Sequence, residues 1–345
     1  MEINKIKNKE EKGLSGLANL GNTCFINASL QILSHTYELN EFLDKEIYKK
    51  KIKNIPESNL LIEWDNLRKL LWSQNCVISP NRFFKTLQNV AEIKKKDIFT
   101  GYFQNDASEF LLFLIDCFHE AISRNINITI SGKMENETDK IAVKCFEMIK
   151  TRYSKDYSEI WNMFYAVQIS EIYKINDKEK TILSITPEPY FTIQLPIPPN
   201  NKSPTLIDCF NFFIQGENIP NFKTENGEEI EINKKLSFWS FPNILVIVFK
   251  RFDLKLEKNK IYIDFPFELD LSSYVVGYKK EEYKYELYGV CNHIGLVLGG
   301  HYTSYVKNVN DKWFHFNDKI VSKIALNEKI VSNKAYVLFY RKKTT

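Results

Sequence analysis

The sequence predicts an α+β fold, with helices in the first third of the chain and strands in most of the rest. From residue 27 to residue 120, apolar side chains recur every three or four positions, as in Leu60, Trp64 and Leu67, which is the spacing of one helix face. After residue 159, apolar and polar residues alternate in short runs, a pattern typical of strands. The chain has 345 residues, 44% of them apolar, so it can bury a large core.

Each element follows from its local pattern. Four helical apolar patterns lie in the first part of the chain and begin near Leu30, Leu60, Phe83 and Phe110. Residues 124–140 are polar and rich in asparagine, and we expect a loop or an insertion there. Strands are expected at residues 164–175, 180–186, 189–195, 245–252, 283–298, 301–307, 312–316 and 336–341.

Composition restricts the class of partner and the compartment. The net charge of +4 is small for this length and no basic stripe with interleaved aromatic residues is present, so nucleic acid is not an expected partner. Neither a signal peptide nor a membrane span is expected, because the N-terminus is charged and no apolar run reaches spanning length. The six cysteines are widely separated, which favours free thiols in the cytoplasm or the nucleus.

Cys24 lies where the sequence favours a nucleophile. Polar and glycine residues precede it at positions 19–23, and an apolar helical pattern follows it, so Cys24 is expected at a helix N-terminus. Unpaired N–H groups and the helix dipole at such a position are expected to lower the pKa of the thiol from its ordinary value of about 8.5. A small buried cysteine without a chemical role is the alternative.

A thiol nucleophile needs a base, and His301 is the best placed of the five histidines. Gly299 and Gly300 precede it and allow backbone and substrate to approach closely. The strand that contains His301 is followed by a short loop and a second strand, which ends at Asn317 and Asp318. Antiparallel pairing of these strands returns the polar pair to His301. The pattern therefore predicts a Cys/His/Asn or Cys/His/Asp arrangement.

Six segments, in order along the chain, resemble those of the ubiquitin-specific proteases. The Cys box of that family is similar to GLANLGNTCFINASLQIL, and its His box is similar to GGHYTSYVKNVNDKWFHFND followed by AYVLFYRK. Between them lie FQNDASEFLLFLIDCFHE, PEPYFTIQLPIP, NILVIVFKRFD and IDFPFELDL. The resemblance implies a papain-like cysteine protease fold with a helical thumb, a β-rich palm and β fingers.

The resemblance also implies how the chain is organised. It separates a charged tail, residues 1–13, from a catalytic domain, residues 14–343. The thumb is expected at about residues 14–125, and the palm and fingers at about residues 159–343. The protein is expected to act as a monomer on ubiquitin and ubiquitinated proteins, without a cofactor.

The same resemblance assigns roles to the candidate site residues. His301 takes the proton of Cys24, and the thiolate attacks the carbonyl of the last glycine of ubiquitin, giving an oxyanion and then a thioester that water hydrolyses. Asn19, in the NxGxxC pattern of the family, donates to that oxyanion; a turn-forming asparagine is the alternative. The third triad residue is expected at Asn317. Asp318 then supplies negative charge, acts near the oxyanion, or only caps the following turn.

Specificity is implied for the arginines and glycines of the ubiquitin tail. Asp106 and Glu109 lie three residues apart and so share a helix face, and they match the acidic pair that binds the tail arginines in the family. A solvated acidic helix start is the alternative. His293 is a second candidate base or a palm residue near the tail. The wall of the glycine channel is expected to be formed by three residues, Gly299, Gly300 and Tyr302.

Zinc ligands are missing from the region that matches the fingers. Many members of the family carry two CxxC pairs there, whereas residues 172–180 and 220–234 contain no cysteine, and tetrahedral zinc needs about four thiolate or imidazole ligands. No metal site is therefore expected. Strand pairing should hold this region, with a hairpin turn at Asn226 and Gly227; shorter and less ordered fingers are the alternative.

Two other functions remain open on the sequence alone. One is a ubiquitin-binding module that has lost catalysis, which the presence of Cys24, His301 and Asn317 disfavours. The other is a protease for a different ubiquitin-like modifier, or a transferase. The same triad can serve those reactions as well.

Overall fold

A computed structural model describes residues 11–175, 181–224, 226–253, 255, 257–296, 299–325 and 330–343. The predicted tail, residues 1–13, therefore lies almost entirely outside the described residues. The first residue of the strand expected at 180–186 and the last two of the strand expected at 283–298 also lie outside them.

Helices dominate the described part of the chain up to residue 122. The elements in order are β1 (Gly16–Leu17), α1 (Cys24–Ser34), α2 (Tyr37–Asp44), α3 (Pro56–Ser73), β2 (Val77–Ile78), α4 (Asn81–Ile93) and α5 (Ala107–Ile122). Helix α1 is buried along its whole length, because it packs between α5 on one side and the main sheet on the other. Such all-round burial suits its apolar composition.

Two further helices, α6 (Glu137–Asp156) and α7 (Glu159–Phe164), connect this part to the strands. Asn136 caps α6 in a capping box with Asp139, which satisfies two otherwise unpaired backbone donors. The loop expected at residues 124–140 therefore ends at 136. The sequence pattern did not indicate α6, since its buried apolar stripe is narrow and contains Ala142 and Cys145.

The main sheet has eight strands in the described residues. They are β5 (Thr192–Leu195), β8 (Ile244–Phe249), β9 (Glu268–Asp270), β10 (Lys284–Leu296), β11 (Gly299–Lys307), β12 (Trp313–Asn317), β13 (Ile320–Lys323) and β14 (Ala335–Lys342). Their order is β13-β12-β11-β10-β14-β8-β5, and β9 pairs with β10. Strands β11 and β12 are antiparallel, with Ser304 opposite Phe316. The predicted return of the chain toward His301 is confirmed.

A smaller sheet has the strand order β4-β3-β7-β6. Its strands are β3 (Ala166–Lys174), β4 (Ile182–Tyr190), β6 (Glu217–Lys223) and β7 (Glu229–Phe238), and helix α8 (Leu206–Ile214) precedes β6. Phe222 pairs with Ile230 across the β6–β7 hairpin, and Gly227 in its turn has a φ of +82°. The predicted hairpin is confirmed. Among the described residues, no cluster of three His, Cys, Asp or Glu side chains could hold a metal ion.

The sequence pattern placed a break between residues 186 and 189, whereas β4 continues through both Pro187 and Pro189. This strand lies at the edge of the smaller sheet, where a residue without an N–H is tolerated. The chain changes sheets one residue later, at the buried Phe191. Within the described ranges, no helix is long and apolar enough to cross a membrane.

Candidate active site

Cys24 is the first residue of α1, as predicted. A turn with two positive φ angles precedes it, +108° at Gly21 and +54° at Asn22, and glycine and asparagine are the residues that adopt such angles most readily. Cys24 is buried, with 3% of its surface exposed. Helix α1 packs against β11, the strand that carries His301.

The environment of Cys24 raises the pKa of its thiol. Burial is the largest cause; the backbone N–H of Tyr302 lowers the pKa, the Asp318 carboxylate raises it, and the N–H of Phe25 lowers it. The expectation of a lowered thiol pKa is therefore wrong for this structure. The helix N-terminus supplies hydrogen-bond donors as expected, but the free-energy cost of removing the thiolate from water exceeds the stabilisation by these donors.

His301 and Asn317 are in direct contact. His301 Nε2 lies 2.7 Å from Asn317 Oδ1, and both side chains are half-buried. Because an amide oxygen only accepts hydrogen bonds, Nε2 carries the proton of the neutral ring. Nδ1 is then the basic nitrogen of His301.

Both carboxylate oxygens of Asp318 accept hydrogen bonds from residues other than His301. Oδ2 accepts a hydrogen bond from Asn19 Nδ2 at 3.0 Å, and Oδ1 accepts one from Asn27 Nδ2 at 2.8 Å. The backbone at Asp318 has a φ of +49°, and its carbonyl accepts from Leu17 N at 2.9 Å. Because of this left-handed turn, the neighbouring side chains of Asn317 and Asp318 contact different partners.

Asn19 is held in one orientation. Its Oδ1 accepts from the backbone N–H groups of Gly21, at 3.0 Å, and Thr23, at 3.2 Å. Asn19 Nδ2 faces Asp318, as described above. Because a side-chain amide nitrogen carries two hydrogens, one N–H of Asn19 remains for a further acceptor beside the turn that leads into Cys24.

Asp106 and Glu109 occupy different environments. Asp106 is the N-cap of α5, and its Oδ1 accepts from the backbone of Ser108 at 2.7 Å and of Glu109 at 3.1 Å. Its Oδ2 accepts from the Tyr336 hydroxyl at 2.5 Å. The expectation that the pair shares a helix face is wrong for Asp106, since the backbone there is still extended. Glu109 is exposed, so its carboxylate is the one that faces solvent.

The two glycines before His301 differ in their surroundings. Gly300 N donates to Gln104 Oε1 at 2.7 Å, and a Cβ on Gly300 would lie 2.0 Å from His293 Nε2. A Cβ on Gly299 would meet no described atom within 4 Å. A side chain is therefore excluded at position 300 by the protein itself, whereas position 299 is open.

Tyr302 and His293 pack together beneath these glycines. Their ring centroids are 4.6 Å apart, and 7% of Tyr302 and 2% of His293 are exposed. Tyr302 thus faces the thiol with its backbone N–H, and its ring is in the core. Burial and the charge of Lys258 lower the pKa of His293 to about 4, which makes its ring a poor base at neutral pH.

The identity of the fold follows from comparison with known proteins. The sequence profile described as "Ubiquitin carboxyl-terminal hydrolase" matches residues 15–340. The chain belongs to this family. Ubiquitin carboxyl-terminal hydrolase 2 of Bos taurus is 32% identical over 350 residues, which cover 97% of this chain and 56% of the relative. Usp2 of Drosophila melanogaster is 29% identical, and the match covers 97% of this chain and 36% of the relative. The chain thus spans about half or less of these relatives.

Solved structures of the family have the same architecture. The SAGA Ubp8/Sgf11/Sus1/Sgf73 DUB module bound to ubiquitin aldehyde superposes with a TM-score of 0.74 at 25% identity, covering 98% of this chain and 71% of that one. A variant of the same module bound to monoubiquitin gives a TM-score of 0.73 at 25% identity, covering 97% of this chain and 70% of that one. The papain-like fold predicted from the sequence is confirmed.

In this member of the ubiquitin carboxyl-terminal hydrolase family, four residues that contact the site carry no signal in the sequence pattern. Asn27 and Gln104 lie inside segments that match the family, but a helical or loop amide gives no indication of its partner. Lys258 lies outside the matching segments, and Tyr336 lies in AYVLFYRK, where a tyrosine in a strand gives no indication of its partner. Only the packed structure brings them to His293 and Asp106.

Proposed function

We propose that this chain is a deubiquitinase that hydrolyses the peptide or isopeptide bond after the C-terminal glycine of ubiquitin. Family membership supports this substrate, because relatives are named ubiquitin carboxyl-terminal hydrolases and solved neighbours are bound to ubiquitin or ubiquitin aldehyde. One observation carries the reaction type. It is the 2.7 Å contact of His301 with Asn317, on strands packed against the helix that begins at Cys24.

The first step is transfer of a proton from Cys24 to His301 Nδ1. The thiol is neutral at rest, because burial raises its pKa, so the base must act as the sulfur attacks the carbonyl carbon. Asn317 Oδ1 holds the proton of the ring on Nε2 and fixes the ring plane. An amide orients the ring as a carboxylate would. Because it carries no full negative charge, it stabilises the imidazolium less strongly than a carboxylate does.

The second step breaks the bond to the leaving group. The imidazolium of His301 gives its proton to the departing amine, and the acyl group of ubiquitin remains on Cys24 as a thioester. A water molecule then attacks the thioester, with His301 taking one of its protons. The proton returns to the sulfur as the carboxylate of ubiquitin is released, so Cys24 ends as it began.

Asn19 stabilises the oxyanion in this scheme. Its remaining N–H and the backbone N–H of Cys24 are the donors, and loss of one such donor typically raises the barrier by about 3–4 kcal/mol. Asp318 acts through Asn19, because it accepts the other N–H and so fixes the direction of the amide. Asn27 holds Asp318 from the opposite side.

Recognition of the ubiquitin tail is proposed at the start of α5 and at the two glycines. Glu109 offers an exposed carboxylate to a tail arginine, while Asp106 maintains the helix start that presents it. Gly299 and Gly300 leave the backbone of β11 accessible next to His301. A tail that ends in glycine fits such a surface without side-chain contact.

Covalent trapping tests this proposal. Ubiquitin with a C-terminal propargylamide should form one adduct with the protein, mapped to Cys24 and absent from Cys24→Ala. Cys76 is the exposed cysteine and serves as an internal control for nonspecific reaction. An adduct at Cys76 would contradict the proposal. A faster reaction with the propargylamide of another ubiquitin-like modifier than with that of ubiquitin would also contradict it.

A further inference from the structure

Lys258, on the segment after β8, extends to His293 beside the candidate site and is half-buried. Its Nζ donates to the carbonyl oxygen of His293 at 2.6 Å and lies 3.0 Å from His293 Nδ1. An isolated antiparallel bridge pairs Lys258 with Phe252 and so fixes the backbone from which the side chain extends. Among the described residues, no carboxylate forms an ion pair with this ammonium. Its polar partners are therefore both on His293.

This contact defines the state of the His293 ring. An ammonium can only donate, so Nδ1 accepts and the ring proton is on Nε2. The ring is 2% exposed and lies between aromatic side chains, with centroids 4.6 Å from Tyr302 and 5.5 Å from Phe252. Its orientation is thus set by the aromatic rings around it and by Lys258 at Nδ1.

The other ring nitrogen, Nε2, lies against the strand of the proposed base. His293 Nε2 fills the space that a side chain on Gly300 would need, since a Cβ there would lie only 2.0 Å away. Gly300 N in turn donates to Gln104 Oε1. Gly300 is the residue directly before His301, so a shift of the ring moves the backbone that carries the base.

We propose that Lys258 is a positioning residue for the reaction: it fixes the His293 ring, which sets Gly300 and through it the place of the His301 imidazole relative to Cys24. This rests on the proposed function. Small errors in the placement of a reacting group reduce turnover steeply, whereas Glu109, which is proposed to bind the tail arginine, lies on α5 and is not altered. The effect of Lys258 should therefore fall on kcat.

The charge on Lys258 adds a dependence on pH. Burial lowers the pKa of its ammonium to about 8, and the positive charges of Arg251 and Lys260 contribute. The groups that act on His293 are Lys258, Asp106 and His301. Above pH 8 the amine becomes neutral and donates more weakly, so the hold on His293 loosens and kcat falls.

Three variants test the proposal with ubiquitin carrying a C-terminal aminomethylcoumarin amide. Lys258→Met should lower kcat at least tenfold and change KM less than twofold. Lys258→Arg should keep most of kcat and move the alkaline fall to higher pH, because a guanidinium stays charged. Lys260→Met is the matched control, since it removes the same charge from an exposed neighbour. Its kcat at neutral pH should match the wild type, and its alkaline fall should lie at a higher pH, because the Lys260 charge contributes to the lowered pKa of Lys258.

A second measurement needs no ubiquitin. In a Cys76→Ser background, the rate of Cys24 alkylation by iodoacetamide, followed by peptide mapping, reports whether His301 can take the proton of the thiol. Lys258→Met should slow this alkylation at neutral pH with an unchanged melting temperature.

A wild-type chain inactive on the ubiquitin amide would count against the proposed function alone, since the alkylation rates would still report on Lys258. Identical kcat and alkylation rates for Lys258→Met and Lys260→Met would overturn the positioning role, as would a lower melting temperature that Lys258→Arg does not restore.

Discussion

The side-chain amide of Asn19 donates to Asp318 Oδ2 at 3.0 Å, across 299 positions of the chain. Directly beside it, Asn317 contacts His301 at 2.7 Å. Two adjacent polar residues thus have different partners: Asn317 contacts the proposed base, and Asp318 accepts from the proposed oxyanion donor. This division of partners leads to different expected effects for each residue.

Asn317→Ala should lower kcat by about 10²–10⁴ with little change in KM, because the His301 ring loses the partner that sets its tautomer and plane. Asn317→Asp should keep most of the activity, since a carboxylate accepts the same N–H. Steady-state kinetics on the ubiquitin amide measure both. A nearly silent Asn317→Ala together with a severe Asp318→Ala would exchange the two roles.

Asp318→Asn should change turnover and thiol reactivity in opposite directions. Asn19 and Asn27 both donate to the carboxylate, and an amide offers one oxygen where two are needed, so turnover should fall about tenfold or more. The Asp318 charge raises the pKa of Cys24, after burial as the main cause. Removing that charge lowers the pKa, so more thiolate is present at pH 7 and iodoacetamide should react faster with Cys24. Asp311→Asn, in an exposed loop, is the control and should leave both rates unchanged.

Glu109→Gln should raise KM for a ubiquitin substrate about tenfold, the loss expected when one charge-assisted hydrogen bond to a tail arginine is removed. A minimal substrate that carries only the terminal glycines should be cleaved as before. Glu92→Gln changes the net charge equally from an exposed position on α4 and should leave KM unchanged. Equal losses on both substrates would show that Glu109 supports the fold instead.

Asp106→Ala should act on stability more than on recognition. The substitution removes an N-cap, which costs about 0.5–2 kcal/mol, and leaves the buried Tyr336 hydroxyl without its acceptor. Chemical denaturation should show the lower free energy of unfolding. Unchanged stability combined with a raised KM would mean that Asp106 binds substrate directly.

Gly300→Ala and Gly299→Ala form a matched pair. The added methyl group at position 300 collides with His293, so the β11 backbone must move and kcat should fall by at least tenfold. At position 299 the same methyl group meets no described atom within 4 Å, and the free protein should fold normally. If KM for ubiquitin rises in Gly299→Ala alone, that position contacts the tail.

The sequence was sufficient where a local pattern and a single pairing rule decided the outcome. The start of α1 at Cys24 and the return of β12 to His301 follow from turn residues and antiparallel geometry. The pKa of Cys24 could not be predicted, because burial depends on what packs over the thiol. The two uses of Asp106 were hidden for a similar reason, since Tyr336 lies 230 positions away. Local spacing carries no information about such partners.

The bonds from Leu17 and Asn19 to Asp318 have a consequence for synthesis. A ribosome adds about 5–20 residues per second, so the interval between Asn19 and Asp318 is on the order of 15–60 s. During that time the nascent chain lacks both the proposed base, His301, and the carboxylate that orients Asn19, so the proposed reaction cannot take place. The proposed site is completed in one late event, when the last strands of the main sheet pair beside the first loop of the chain.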